Sequence, residues 1–362
     1  MRRIGVGIIG TGWCGGIRAE ALAAHPLVKS LHIAEIRPER RAEVAKATGA
    51  ATATIDYRRL LDVEEIEAIY ISATPETTHY PMARDCLAAG KHVFLEKPIA
   101  LDLAEADELI ALAAEKKLKF TIGYSQRFNP KFAYVRKAIR DGTIGRPVSA
   151  LVSRHITRNL GKKISGRIKL SPAAMEATHD LDFVLWCLEP ARPVRVYSQI
   201  NYGAMRESSN ADIPDTQWIT VTMDNGVSFV VGAGWSLPPG YPNFSTTWIE
   251  FVGTEGAVMV DDSHRDVVLN TLGKGMVLPM STMPGEAVEH TYAGPMAAET
   301  VHFLEAVVLD KPVLVTPEHA RTVMELYIAA DRSAETNLPV SLPLAESRRK
   351  PAARSDKRRA VV

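Results

Sequence analysis

Residues 4–15 constrain this chain more than any other stretch. Ile4-Gly5-Val6-Gly7-Ile8-Ile9 reads as a short buried strand. It runs straight into Gly10-Thr11-Gly12-Trp13-Cys14-Gly15, a GxGxxG loop ahead of an Ala-rich helical stretch over 15–25. In that strand–loop–helix setting each glycine meets a physical need. The first allows a tight turn, the second lets backbone N–H groups approach a pyrophosphate, and the third lets the helix pack closely on the strand. The helix N-terminus then turns its unpaired N–H groups towards the phosphates. Glu35 lies twenty residues beyond Gly15, within the strand-like run 31–36. A carboxylate there accepts hydrogen bonds from the adenosine ribose hydroxyls and repels a 2′-phosphate, which favours NAD. Arg37, two residues on, counters that repulsion, so NADP stays open.

The rest of the first 123 residues repeats this alternation. Helical stretches are predicted over 38–48, 80–89 and 103–116, with short apolar strands at 66–72, 92–95 and 119–123. Repeated β-α-β units with buried strands argue for an α/β fold with a doubly wound parallel sheet. The pattern then changes. After a helix over 132–141, longer strands with interleaved polar and apolar residues are predicted at 147–157, 193–204, 216–224, 227–236, 245–253 and 256–260. Such strands suit a large, mostly antiparallel open sheet in a second, α+β domain. Asn225-Gly226 predicts a type I′ hairpin turn. Helices at 296–309 and 317–335 and a strand at 339–342 complete the second domain. The division is therefore 1–123 for a Rossmann dinucleotide-binding domain, 124–345 for a substrate and oligomerisation domain, and 346–362 for a basic disordered tail.

Composition narrows the classes further. A hydrophobic share of 46% excludes wholesale disorder, because enough apolar surface exists to offset the entropy of ordering the chain. The chain has 43 basic and 42 acidic residues, a formal net charge of +1. Residues 348–362 hold seven Lys/Arg and one Asp, which leaves 36 basic and 41 acidic residues in 1–347. The body is thus mildly acidic, which argues against nucleic acid as a partner. Cys14, Cys86 and Cys187 form no CxxC pair or disulfide ladder and read as reduced thiols of a cytoplasmic protein. No apolar run is long enough to span a membrane, and no secretory leader is expected. No metal-ligand spacing is apparent.

Ala88-Ala89-Gly90-Lys91-His92-Val93-Phe94-Leu95-Glu96-Lys97-Pro98 strongly resembles the signature of the Gfo/Idh/MocA family of NAD(P)-dependent oxidoreductases. Supporting matches are Thr74-Pro75 with His79, residues 123–130, Gly142-Thr143-Ile144-Gly145, and residues 251–256. Together these cover about residues 4–343. The resemblance implies an inositol dehydrogenase-like or glucose-fructose oxidoreductase-like enzyme. To the cofactor set of Gly10, Thr11, Gly12, Trp13, Cys14, Gly15, Glu35 and Arg37 it adds Ile36, Ala73, Thr74 and Pro75. It also adds His79, Glu96, Lys97 and Arg127. In the family the lysine of Glu-Lys-Pro is catalytic. Here Lys97 follows a buried strand, so it emerges at the sheet's carboxyl edge, placed to hold a substrate hydroxyl and stabilise alkoxide charge.

The second reactive element is Met175-Glu176-Ala177-Thr178-His179-Asp180-Leu181-Asp182, on a helix that Ser171 caps and Pro172 opens. His179 and Asp182 share a face at i, i+3, so the carboxylate is placed to fix the histidine's tautomer. Family members carry this HxxD, and those acting on polyols often have an Asp four residues before the histidine. That position is Met175 here. Either Glu176 substitutes, or the proton path runs through Lys97 and His179 alone.

Substrate candidates are Tyr124 and Asn129 at the domain junction, Arg154, His155 and Asn159 after the first long strand, and Trp235 and Tyr241, aromatics suited to a sugar face. His290 and Tyr292, just ahead of the 296–309 helix, are further candidates. The resulting expectation is hydride transfer between NAD(P) and a secondary alcohol or ketone carbon of a sugar, cyclitol or related polyol, in a homodimer or homotetramer built through the second sheet. Two alternatives use the same fold. One is a hydrolase or lyase that oxidises its sugar transiently, and the other a non-enzymatic NAD-binding sensor.

Overall fold

The computed structural model describes residues 2–165, 168, 170–209, 212–239, 241, 245–261, 267–277, 285 and 287–345. The basic tail lies outside these residues. Six strands form the first sheet: β1 (Ile4–Ile9), β2 (Val28–Ala34), β3 (Thr52–Thr54), β4 (Ile66–Ile71), β5 (His92–Glu96) and β6 (Phe120–Gly123). They are all parallel, in the order β3-β2-β1-β4-β5-β6. Helices α1 (Trp13–Ala23), α2 (Pro38–Thr48), α3 (Arg58–Leu61), α4 (His79–Ala88) and α5 (Leu103–Glu115) connect them. Every residue of β1 is buried, as expected of a strand covered on both faces. The strand order reverses between β1 and β4, the crevice where doubly wound sheets bind ligands.

The chain continues through α6 (Pro130–Arg140), β7 (Pro147–Thr157), α7 (Arg158–Ser165), a π-helical turn (Ala173–Ala177) and α8 (Thr178–Leu188). Next come β8 (Pro193–Asn201), α9 (Ala204–Ser209), β9 (Thr216–Met223), β10 (Ser228–Leu237), β11 (Ser245–Gly253) and β12 (Ala257–Asp261). Two small hairpins follow, β13 (Leu269–Thr271) with β14 (Gly275–Val277) and β15 (Ala287–Val288) with β16 (Thr291–Tyr292). Helices α10 (Met296–Val308) and α11 (Pro317–Thr336) and strand β17 (Val340–Ser341) close the described chain.

The second sheet runs β12-β11-β7-β10-β9-β8-β17. It is mixed, with β7 and β10 parallel and the other pairs antiparallel. Its strands alternate by the pleat. On β9, Gln217, Ile219, Val221 and Met223 are buried, while Trp218 and Thr220 face outward. The inner face joins α8 and α11 in one apolar core that also reaches β4, β5 and β6.

Three features depart from the chain-order reading. First, α10 packs on the first sheet: Phe303, Leu304, Val307 and Val308 share a core with Ile4, Val6, Ile8 and Leu22. Phe303 meets Tyr70 edge-on at 5.3 Å, and the Tyr70 hydroxyl donates to the Thr300 carbonyl at 3.0 Å. Second, the β9–β10 turn is not type I′. Gly226 alone has positive φ, +87°, and its N–H donates to the Met223 carbonyl. Asn225 is not left-handed, so the loop is the three-residue kind that ends in a left-handed glycine. Third, β3, α3, α7 and α9 are too short or too polar to show a clear period in sequence.

Candidate active site

The glycine loop has the geometry its sequence requires. Gly10 has φ +81°, and an added Cβ would come 2.7 Å from the Ala73 Cα. A Cβ on Gly15 would run into the Gly10 carbonyl oxygen, so only glycine lets α1 approach β1 this closely. Over Gly12 the space is open, and a Cβ would meet only Arg37 Nη2 at 3.9 Å. No side chain caps α1 at Gly12, as suits a helix N-terminus that receives a pyrophosphate. Trp13 and Ile36 are 50% and 71% exposed, leaving apolar surface beside the loop. These residues fit a dinucleotide.

Glu35 is more engaged than its sequence position suggests. One carboxylate oxygen accepts from the Thr11 N–H at 2.9 Å and the Thr11 hydroxyl at 3.0 Å. Arg37 donates to both oxygens, from its backbone N–H and Nε to Oε1 at 3.0 and 2.9 Å and from Nη2 to Oε2 at 3.1 Å. Burial pushes this carboxyl up, but the hydrogen bonds from Arg37 and Thr11 outweigh it and hold it down at about 2. Glu35 therefore organises the loop through Thr11, and Arg37 closes over its carboxylate.

The neighbouring positions divide. Ala73, Thr74 and Pro75 follow β4 at the crevice, and Ala73 is the wall that Gly10 abuts. His79 is 1% exposed, with ring nitrogens 2.8 Å from the Pro98 carbonyl and 3.1 Å from that of Ala73. It ties the loop after β4 to the loop after β5. Burial, helped by the charge of Glu96 and opposed by Arg18 and Lys97, pushes the Cys14 thiol up to about 12, so little thiolate forms at neutral pH.

Lys97 leaves the end of β5 and donates from Nζ to the Met175 carbonyl at 2.6 Å. That carbonyl belongs to the π-helical turn, whose wider ring re-aims backbone groups that an α-helix would keep for itself. Ser171 caps the turn by accepting from the Ala174 N–H at 3.1 Å, and the Gln217 side chain accepts from the Ala173 N–H at 3.0 Å. Asp331 takes hydrogen bonds from both Ser171 and Gln217.

His179 is near Lys97 electrostatically and lies edge-on to Tyr124 at 5.9 Å. Burial first, then the charges of Lys97 and Arg154, hold its pKa well below 6.5, so the ring is neutral at physiological pH. Its Nδ1 is buried without a hydrogen-bond partner. Glu176 accepts from the Trp235 indole N–H at 3.1 Å and lies 3.6 Å from Arg154 Nη1.

Several expected contacts are made elsewhere. Asp182 does not reach His179: its oxygens take Arg127 Nε and Nη2 at 3.0 and 2.7 Å, and His319 Nε2 lies 3.1 Å from Oδ1. Arg127 also donates to the Leu314 carbonyl and lies over the Trp186 ring, so its guanidinium is engaged inside the protein. Tyr124 is 1% exposed, its hydroxyl 2.9 Å from that of Thr178. Trp235, 1% exposed in an apolar cluster with Met175, offers no ring face to a sugar. Asn129 caps α6 by accepting from the Lys131 N–H. His155 projects from the opposite face of β7, beside Trp218. Asn159 and His290 are exposed, as are Tyr241 and Tyr292.

Arg154 is the neighbour that emerges. It donates from Nε to both Asp180 oxygens, at 2.8 and 3.2 Å, and from Nη2 to the Glu176 carbonyl. The period of the pleat separates it from His155 and places it on the helix-covered face with Val152 and Ile156. A groove of about 550 Å³ lined by Arg136, Arg140, Glu189 and Asp224 shares no residue with this centre. Among the described residues no three His, Cys, Asp or Glu side chains gather as a metal site.

Comparison with known proteins matches residues 4–124 to the oxidoreductase family with an NAD-binding Rossmann fold, and residues 132–259 to the GFO/IDH/MocA C-terminal domain. The chain belongs to the Gfo/Idh/MocA family. It is 30% identical to an inositol 2-dehydrogenase of Rubrobacter xylanophilus over 265 residues, 71% of each chain. It is 28% identical to a UDP-N-acetylglucosamine 3-dehydrogenase of Acidithiobacillus ferrooxidans, over 90% of this chain and 95% of that one. The scyllo-inositol dehydrogenase of Lactobacillus casei, solved with NAD(H) and scyllo-inositol, shares the fold with a TM-score of 0.80 at 20% identity, covering 94% and 99% of the two chains. This family member is thus an NAD-dependent oxidoreductase with a parallel Rossmann sheet and a mixed second sheet. Among the described residues no helix is long and apolar enough to cross a membrane.

Proposed function

We propose that this oxidoreductase moves a hydride between NAD and a secondary alcohol carbon of a sugar or cyclitol. The observation that carries the reading is that Lys97, at the carboxyl edge of β5, reaches the π-helical turn that leads directly into the half-buried His179, whose imidazole is held neutral. The names of its relatives, which act on inositols and a nucleotide sugar, support the substrate class.

Gly10, Gly12 and the first turn of α1 would hold the pyrophosphate, with Glu35 and Arg37 at the adenosine ribose. NAD supplies the hydride acceptor when bound. Lys97 donates to the substrate hydroxyl oxygen in place of the Met175 carbonyl and stabilises the charge that grows there. His179, neutral, accepts the hydroxyl proton. Glu176 is held by Trp235 and Arg154, so the proton path runs through Lys97 and His179.

A panel of inositols, sugars and sugar derivatives mixed with protein and NAD tests this reading. Appearance of reduced nicotinamide with one of them is the expected outcome. Cleavage of a sugar without net reduced cofactor supports the transient-oxidation hydrolase or lyase instead, and binding without turnover supports a sensor.

The open face of the second sheet carries Leu151, Trp218 and Met259, 37%, 40% and 57% exposed. We propose that it pairs with a second copy of the chain, because so much apolar surface on one face marks an interaction site. Sedimentation at micromolar concentration should find a dimer or tetramer, and Trp218→Glu should shift it towards monomer. A wild-type monomer contradicts the pairing.

A further inference from the structure

Arg18 is buried where three parts of the chain meet. It projects from α1, one turn beyond the glycine loop, and is 1% exposed. Its Nε and Nη2 donate to Glu96 Oε1 at 3.2 and 2.6 Å, and Nη2 also donates to Glu299 Oε2 at 2.7 Å. Nη1 donates to the Thr300 hydroxyl at 2.7 Å. The guanidinium carbon lies 4.1 Å from the centre of the Phe94 ring. The group is thus held by β5 on one side and by α10 on the other.

Two consequences follow. Glu96 is peptide-bonded to Lys97, so whatever holds its carboxylate also holds the strand end from which Lys97 projects. Two carboxylates also share one buried cation, and an unpaired buried charge is costly. Burial pushes Glu299 up to about 7, with Arg18 pulling down and Glu96 pushing up. Its second oxygen is buried without a partner. The other titratable neighbours are Cys14 on α1, Lys97 after β5 and, more weakly, Asp182 on α8.

We propose that Arg18 and Glu299 are positioning residues for Lys97: Arg18 grips Glu96, Glu299 and Thr300 anchor Arg18, and the docking of α10 on the first sheet thereby sets where the Lys97 ammonium stands. The inference builds on the role given above to Lys97, but its test does not need a substrate. It also gives α10 a purpose beyond covering β1, since that helix brings the second half of the chain to the lysine's support.

The test is acetylation of Lys97 by a dilute water-soluble acetylating reagent, read by peptide mass spectrometry against exposed Lys116 as the internal standard. NADH binding and turnover of any panel substrate are measured alongside. Glu299→Ala should raise Lys97 labelling relative to Lys116 about fivefold and lower kcat about tenfold, the scale of a small misplacement of a reacting group. NADH affinity should stay within about twofold, because the pyrophosphate loop is not touched. Glu299→Gln, the same shape without the charge, should restore both values to within about twofold of wild type. Thr300→Val keeps the shape of α10 and should show the same changes at about a third of the size. Lys97 labelling unchanged in both Glu299→Ala and Thr300→Val, or rising only in step with Lys116, overturns the proposal. If labelling responds as described but no polyol or sugar is oxidised, the positioning unit stands and the proposed reaction fails.

Discussion

The cofactor edge and the reaction centre of this molecule are built in opposite ways. At the cofactor edge the working groups come from one contiguous loop. Gly10, Gly12 and Gly15 act through backbone geometry, and Glu35 closes on the same loop through Thr11. At the proposed reaction centre the groups come from separate elements: Lys97 after β5, the Met175 carbonyl from a π-helical turn, His179 from α8 and Arg154 from β7. A motif describes the first kind of site well, because its residues are neighbours in sequence. It describes the second kind poorly, because each side chain chooses its partner from residues tens of positions away.

Variants that damage one region and spare the other expose this difference. The largest effect is expected from Asp182→Ala. Removing it leaves Arg127, 3% exposed, without its bidentate partner, and breaking a buried pair costs about 3–5 kcal/mol. Chemical denaturation should show that loss. If stability holds and only activity falls, Asp182 belongs with His179 after all.

A smaller effect is expected from Glu35→Ala. It removes the acceptor that Thr11 and Arg37 share, and should weaken NADH binding about tenfold, the scale of a lost charged hydrogen bond. It should also shift preference towards the 2′-phosphorylated cofactor, since Arg37 is freed. Fluorescence titration with NADH and NADPH reads both numbers. An unchanged ratio would remove Glu35 from ribose selection.

The smallest effect lies in pH dependence. The unfolded chain binds a proton at His179 near pH 6.5, whereas the folded protein refuses it until well below that value. Acid therefore draws the equilibrium towards the unfolded state, and stability falls as pH drops below about 6.5. His179→Gln should lose less stability than wild type between about pH 7 and 5, read as a narrowing difference in Tm. Parallel curves for the two proteins would mean that His179 is not held neutral.

The same contrast explains what could be read in advance. The β-α-β alternation, the glycine loop and the strand at Pro147–Thr157 were visible because each is set by short-range pattern. The partner of Asp182 was not. Helical spacing put it beside His179, but Arg127 lies 55 residues earlier and competes with a full positive charge. Trp235 read as a sugar platform because exposure is a tertiary property, and its indole N–H in fact serves Glu176. The choice between Arg154 and His155 was within reach, since the two alternate on one strand and Ala150 and Val152 mark the covered face. The return of α10 to β1 left no local signal, because an apolar helix face does not name the sheet that it covers.

Lys97→Ala, assayed with whichever sugar or cyclitol the wild type oxidises, bears most directly on the proposed chemistry. Turnover should fall by at least about a hundredfold, the scale for removing a positioned charged donor, while NADH affinity changes by less than about twofold. Turnover within about twofold of wild type would remove Lys97 from the reaction.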